Sequence, residues 1–203
     1  MKIRDLNISD VKKIAEVHEK SFKDFFLTSL GRQFLETYYA ASINNNTSIG
    51  IGLFDNEEKL CGFATGTSKS LGYHKTLLFQ NSFLFFKSLL FVSLSRPKVI
   101  FRLFKNINKK SDKKDDKQYA ELLSIAMLPD LKGSGYGKIL LDEFEKKAKC
   151  HSASKIALTT DYNNNDNVVK FYNKSGYEVY YDFIAYPNRH MYKLIKKLDE
   201  TNN

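Results

Sequence analysis

One turn constrains this chain more than any other feature. Residues 129–138 read Pro129-Asp130-Leu131-Lys132-Gly133-Ser134-Gly135-Tyr136-Gly137-Lys138. They follow Gln118 to Met127, whose apolar density predicts a strand buried on both faces. They lead into Gly135 to Lys149, where Tyr136, Ile139, Leu140, Phe144 and Ala148 recur at helical spacing. A strand that passes through closely spaced glycines into a helix gathers backbone N–H groups at the positive end of the helix dipole. That is an anion site, and a phosphate or pyrophosphate is the anion expected. Two familiar phosphate turns do not fit. The Walker A turn needs GxxxxGK[ST], but Lys138 is followed by Ile139, and the residue five before Gly137 is Lys132. The dinucleotide fingerprint needs GxGxxG in an opening βαβ unit, but here the third glycine comes one residue early and the turn lies late in the chain.

The rest of the chain alternates strands and helices. Lys2 to Leu6 reads as a strand. Ser9-Asp10 precedes a helical repeat of Val11, Ile14, Val17 and Phe22 and is the expected N-cap. Leu27 to Ala41 reads as a second helix with Leu30, Phe34 and Tyr38 on one face. Ser48 to Phe54 and Lys59 to Thr67 are strands joined by the polar turn Asp55-Asn56-Glu57-Glu58. After the glycine turn and its helix come a strand at Lys155 to Thr160, a short helix at Asp166 to Lys174, and strands at Tyr177 to Tyr186 and Arg189 to Lys197. This order predicts an α+β fold with a mixed sheet. The expected organisation is one domain over residues 1–203, with a core at 1–69 and 118–197, a basic helical insertion at 70–117 and a tail at 198–203.

Charge marks out the insertion. The chain of 203 residues carries a formal charge of +9, and 70–117 alone carries +8 of it. Within it, Thr76 to Leu94 is almost continuously apolar and rich in Phe and Leu. Lys98 to Lys105 alternates basic and apolar residues, and Asn106 to Lys117 is a charge run expected to be a linker. The basic segment has no zinc-finger, helix-turn-helix or RNP pattern, so no nucleic acid is expected as partner. Two cysteines, Cys61 and Cys150, make no disulfide framework, and no apolar leader opens the sequence. A cytoplasmic location, peripheral to a membrane if the insertion binds one, is expected. The four histidines lack ligand spacing, so no metal is assigned.

The turn resembles the coenzyme A pyrophosphate turn of the GNAT acyltransferases, [RQ]xxGx[GA], with Lys132 in place of Arg or Gln. A second GNAT signature, Asn-x-x-Ala-x-x-Phe-Tyr-x-x-x-Gly-Phe, is matched by Asn165 to Tyr177, with Val168 for Ala and Tyr177 for Phe. Element order matches the family over 1–69 and 118–197. The resemblance implies a mixed, mostly antiparallel central sheet flanked by helices. It implies an enzyme that moves an acetyl group from acetyl-CoA to an amine, with no metal and no covalent intermediate. By the same resemblance, backbone groups of Ile125, Ala126 and Met127 bind the pantetheine arm. Lys132 and the N–H groups of Gly133, Ser134, Gly135, Tyr136, Gly137 and Lys138 hold the pyrophosphate, and Asn165 contacts the coenzyme. Tyr172 gives a proton to the departing thiolate, and a strand N–H near Met127 holds the oxyanion.

A protonated acceptor amine needs a base. Glu121 occupies the strand position where some members of the family carry one. The other family position falls on Thr160, which cannot serve, although Asp161 is adjacent. Glu121→Gln is therefore expected to lower kcat and flatten the acid side of the pH–rate profile. The bland reading of Glu121 is a strand-end carboxylate paired with a lysine, and that of Tyr172 is a packing residue. The insertion is expected to cap the acceptor cleft or form a homodimer contact, with an anionic membrane surface and a membrane-spanning helix over Thr76 to Leu94 as the competing uses. A basic cap suits an anionic small-molecule amine such as a nucleotide-linked amino sugar. Phe25 to Gly31, with Phe34, Leu35, Tyr38 and Tyr39 and the insertion, is similar to a bacterial subgroup associated with surface-glycan modification.

Overall fold

The computed structural model describes residues 1–95 and 115–198. The expected basic helix at 98–105, most of the charge run at 106–117 and nearly all of the tail lie outside them.

The strands are β1 (Lys2–Asp5), β2 (Ser48–Phe54), β3 (Leu60–Thr67), β4 (Ala120–Met127), β5 (Lys155–Asp161), β6 (Glu178–Ala185) and β7 (Arg189–Lys197). The helices are α1 (Val11–Ser21), α2 (Phe26–Ser29), α3 (Arg32–Ile43), α4 (Tyr73–Gln80), α5 (Ser82–Ser95), α6 (Tyr136–Cys150) and α7 (Asp166–Lys174). The strands form one sheet in the order β1-β2-β3-β4-β5-β7-β6. Its described pairs are antiparallel except β4 with β5. The mixed, mostly antiparallel α+β architecture is the one expected.

Local chemistry moves some boundaries. Asn7, rather than Ser9-Asp10, does the capping before α1. Its side chain accepts from the Ser9 N–H at 2.9 Å, and its own N–H donates to Asp10 at 3.0 Å. Asp10 is buried, and two Arg4 contacts at 2.7 and 2.9 Å satisfy it. Burial pushes the Asp10 carboxyl up, but Arg4 and the Asn7 N–H prevail and hold it below the usual range. The single helix expected over Leu27 to Ala41 is two, because Gly31 takes φ 87° and starts α3 afresh. The apolar run Thr76 to Leu94 is likewise split at Asn81 into α4 and α5.

Three apolar clusters hold the layers. On one face α6 lays Leu140, Leu141, Phe144 and Ala148 against Leu122, Ile156 and Leu158. Burying a ring such as Phe144 contributes about 2–3 kcal/mol. On the other face Ile14, Leu35 and Tyr39 of α1 and α3 meet Phe63 and Ala126. The third cluster joins α3 to α4 and α5 through Phe34, Ala41, Tyr73, Leu77, Phe85 and Val92, with Leu123 of β4 against it. Hydroxyl pairs pin this joint, Ser42 to Tyr73 at 2.8 Å and Thr37 to Ser88 at 2.7 Å.

Candidate active site

The site begins as a break in the sheet. β4 pairs with β5 only through Ala120–Ile156, Glu121–Ala157 and Leu122–Leu158. Beyond Leu122, β4 runs on to Met127 and β5 to Asp161 without pairing to each other. On its other side β4 is irregular at the same point. Thr65 pairs with Ser124 but Gly66 pairs with Leu122, so Leu123 is a β-bulge. A bulge bends its strand, and this one coincides with the end of the β4–β5 ladder. Gly66 permits it: a Cβ there would stand 2.1 Å from the Glu121 carbonyl oxygen and 2.7 Å from the Phe144 ring.

Parity shows which backbone groups line the gap. The Leu128 N–H donates to the Cys61 carbonyl at 2.8 Å. Gly62–Met127 is then a non-hydrogen-bonded pair, and Phe63–Ala126 is the hydrogen-bonded one. Ala126 spends its backbone groups on β3, while those of Ile125 and Met127 face the gap. The Met127 carbonyl is already taken by the Ser21 hydroxyl of α1 at 2.8 Å. Among the described residues, two N–H groups and the Ile125 carbonyl remain along this edge, a template for one added strand.

The glycine turn lies at the end of that edge. Pro129–Leu131 forms one 3-10 turn, and Gly133 and Gly135 then take φ 84° and 85°. The Ser134 N–H bonds to the Leu131 carbonyl and that of Lys138 to the Gly135 carbonyl, at 3.3 and 3.0 Å. The Lys132 N–H is spent on Pro129. Among the described residues, the N–H groups of Gly133, Gly135, Tyr136 and Gly137 donate to nothing in the chain. Four unspent donors at a helix start make an anion cradle. The Lys132 side chain is exposed, and Lys138 pairs with Asp142.

Tyr172 of α7 is buried at 6% exposure, edge-on to Phe171 and Tyr177. Among the described residues its hydroxyl has no hydrogen-bond partner. Burial raises its pKa above the ordinary phenol value, so it stays protonated and able to donate. The Asn165 amide clamps the end of β5, donating to the Thr160 hydroxyl at 2.7 Å and the Asp161 carbonyl at 2.9 Å. Arg189 grips Asp161 with contacts of 2.5 and 2.6 Å and sits 5.0 Å from the centre of the Phe25 ring.

Glu121 lies one residue before the ladder ends. Its carboxylate pairs with Lys193 of β7, whose register partner on the intervening β5 is Thr159 while that of Glu121 is Ala157, and it accepts from the Ser70 hydroxyl at 2.5 Å. Burial pushes its pKa up, but the Lys193 charge and the bonds from Lys193 and Ser70 prevail and hold it below the usual range. The sequence pattern marked Glu121, Tyr172 and the turn. It did not show Ser21, Ser70 or Lys193, which bear no local motif and become neighbours only through the fold. Among the described residues no group of His, Cys, Asp and Glu could hold a metal, and Cys61 and Cys150 are free thiols.

A family model described as the acetyltransferase (GNAT) family matches residues 12–177. No curated protein sequence matches the chain. Several solved structures share its fold. A ribosomal-protein alanine N-acetyltransferase from Escherichia coli aligns with TM-score 0.62 at 12% identity, covering 100% of this chain and 97% of that one. The PaiA N-acetyltransferase from Thermoplasma acidophilum, solved in complex with coenzyme A, gives 0.57 at 18%, covering 97% and 98%. A spermidine N-acetyltransferase SpeG chimera from Vibrio cholerae and hSSAT gives 0.60 at 14%, covering 97% and 96%.

Proposed function

The chain belongs to the acetyltransferase (GNAT) family, and from that premise we propose that it moves an acetyl group from acetyl-CoA to a primary amine by direct attack in a ternary complex. One observation carries the reading: the unpaired edge of β4 runs straight into a turn with four unspent N–H donors. The pantetheine arm adds to the edge at Ile125 and Met127, and the pyrophosphate sits on Gly133, Gly135, Tyr136 and Gly137. A carbonyl oxygen that gains charge during attack is held by an edge N–H near Met127. Tyr172 donates to the departing thiolate. Glu121 takes the amine proton through the Ser70 hydroxyl bonded to it. The acceptor enters beside α4 and α5, where the charge suits an anionic amine such as a nucleotide-linked amino sugar, or a protein amine near acidic groups.

The test is thiol release from acetyl-CoA with a panel of polyamines, amino sugars, sugar nucleotides and peptides. Release that depends on one class of amine is the expected result. A second reading rests on Glu121, both of whose oxygens are engaged. Under it the chain binds acyl-CoA without transferring it. Tight coenzyme binding with no release for any amine would select that reading.

A further inference from the structure

The outer face of α4 and α5 is apolar where a soluble surface is usually polar. Phe79 is 84% exposed, Phe83 76% and Phe86 62%, with Leu71 and Leu84 about half exposed. The inner face already has its partners, since Phe85, Ser88 and Val92 are buried against α3 and its neighbours. A helix that is apolar on both sides needs a second apolar contact. Charge says which kind. From Lys59 to Ser111 the sequence runs 53 residues without an Asp or Glu. Lys69, Lys75 and Lys87 are exposed on and beside these helices. At about 100° per residue, Lys87 shares the outward side of α5 with Phe83 and Phe86. Its stem can lie along the rings while its ammonium stays at the polar level.

We propose that the outer face of α4 and α5 docks on an anionic lipid surface, Phe79, Phe83 and Phe86 entering the headgroup boundary and the lysines meeting the lipid charge. A second copy suits the face less well. A two-fold contact sets each patch against its own image, bringing one basic patch against another with no acidic residue nearby in sequence to offset the charge. Within the described residues these helices are too short to cross the bilayer. The 14 residues of α5 span about 21 Å, short of the roughly 30 Å hydrocarbon core. Among the described residues no helix is long and apolar enough to cross. The proposal stands apart from the transfer chemistry and is read without it.

The experiment is vesicle co-sedimentation with the full chain. It compares phosphatidylcholine vesicles with vesicles in which about a third of the lipid is phosphatidylglycerol. Binding is expected on the anionic vesicles and not on the neutral ones. It should weaken as salt rises from about 0.1 M to about 1 M, where the screening length shrinks from about 10 Å to about 3 Å. The double variant Phe83→Asp, Phe86→Asp should bind at least about tenfold more weakly, and Lys87→Glu should lose part of the affinity. These residues are exposed, so circular dichroism and the thermal midpoint should match the parent. No binding to anionic vesicles, or undiminished binding by a folded double variant, overturns the proposal. So does a dimer in light scattering that the double variant dissolves, which assigns the face to a second copy.

Discussion

Glu121 and Lys193 lie 72 positions apart in sequence and meet across β5, which alters what Glu121 can contribute. A carboxyl held below its usual range is ionised throughout neutral pH. The acid limb of the pH–rate profile then follows the acceptor amine, not Glu121. Glu121→Gln should lower kcat at every pH and leave the limb in place, which amends the flattening expected from the sequence. A substituted enzyme with unchanged kcat would remove Glu121 from the mechanism. The pair also predicts stability. Lys193→Met strands a buried carboxylate and should cost about 3 kcal/mol in urea unfolding, most of it recovered in the double variant with Glu121→Gln. Because the folded pKa of Glu121 is depressed, its contribution is present above the unfolded value near 4.5 and is lost as pH falls through the folded one. His18 works in the same direction by another route. It is 2% exposed and bonds Tyr39 through Nδ1 at 2.7 Å, and among the described residues its Nε2 has no partner. Burial lowers its pKa to about 4. The unfolded chain therefore takes up a proton below pH 6.5 that the folded one refuses, and up to about 3 kcal/mol should be lost between pH 6.5 and 4. His18→Gln should flatten that part of the stability–pH curve. Tyr172→Phe removes only a hydroxyl, so it should lower kcat about 100-fold or more with coenzyme affinity nearly unchanged. A large loss of affinity instead would make Tyr172 a packing residue.

At the scale of elements, the glycine turn was legible because its demands are local. Positive φ and open space above Gly133 and Gly135 follow from the residues themselves. Gly135→Ala should cost about 1 kcal/mol of stability through its left-handed conformation and weaken coenzyme binding more than it weakens the fold. The bulge at Leu123 was not legible, since it is a matter of register between two strands far apart in sequence. Nothing in the pattern Glu121-Leu122-Leu123-Ser124 distinguishes it from regular alternation of a doubly buried strand. Gly66→Ala tests its role. The added methyl would overlap the Glu121 carbonyl and Phe144, so a loss of about 1–3 kcal/mol is expected in chemical denaturation. The break between α2 and α3 hid for a similar reason: Gly31 sits inside a run whose apolar spacing stays helical on both sides.

Over the whole molecule, element order and sheet class could be read because each segment carries its own period. The pairs that complete the site could not. Ser21 to Met127 spans 106 positions, and Ser70 to Glu121 spans 51. The +9 charge resolves into a nearly neutral remainder and one basic segment whose described helices pack on α3 and on Leu123, at the bulge that ends the ladder. Under the proposed function, acetyl-CoA adds to the open edge of β4 with its pyrophosphate on the turn. Hydrogen exchange of individual amides, with and without coenzyme A, tests it most directly. New protection is expected at Ile125, Met127, Gly133, Gly135, Tyr136 and Gly137, while the amide of Ala126, already bonded to β3, changes little. Coenzyme binding that leaves those six amides exchanging as before, or that protects a different face of the sheet, would contradict it.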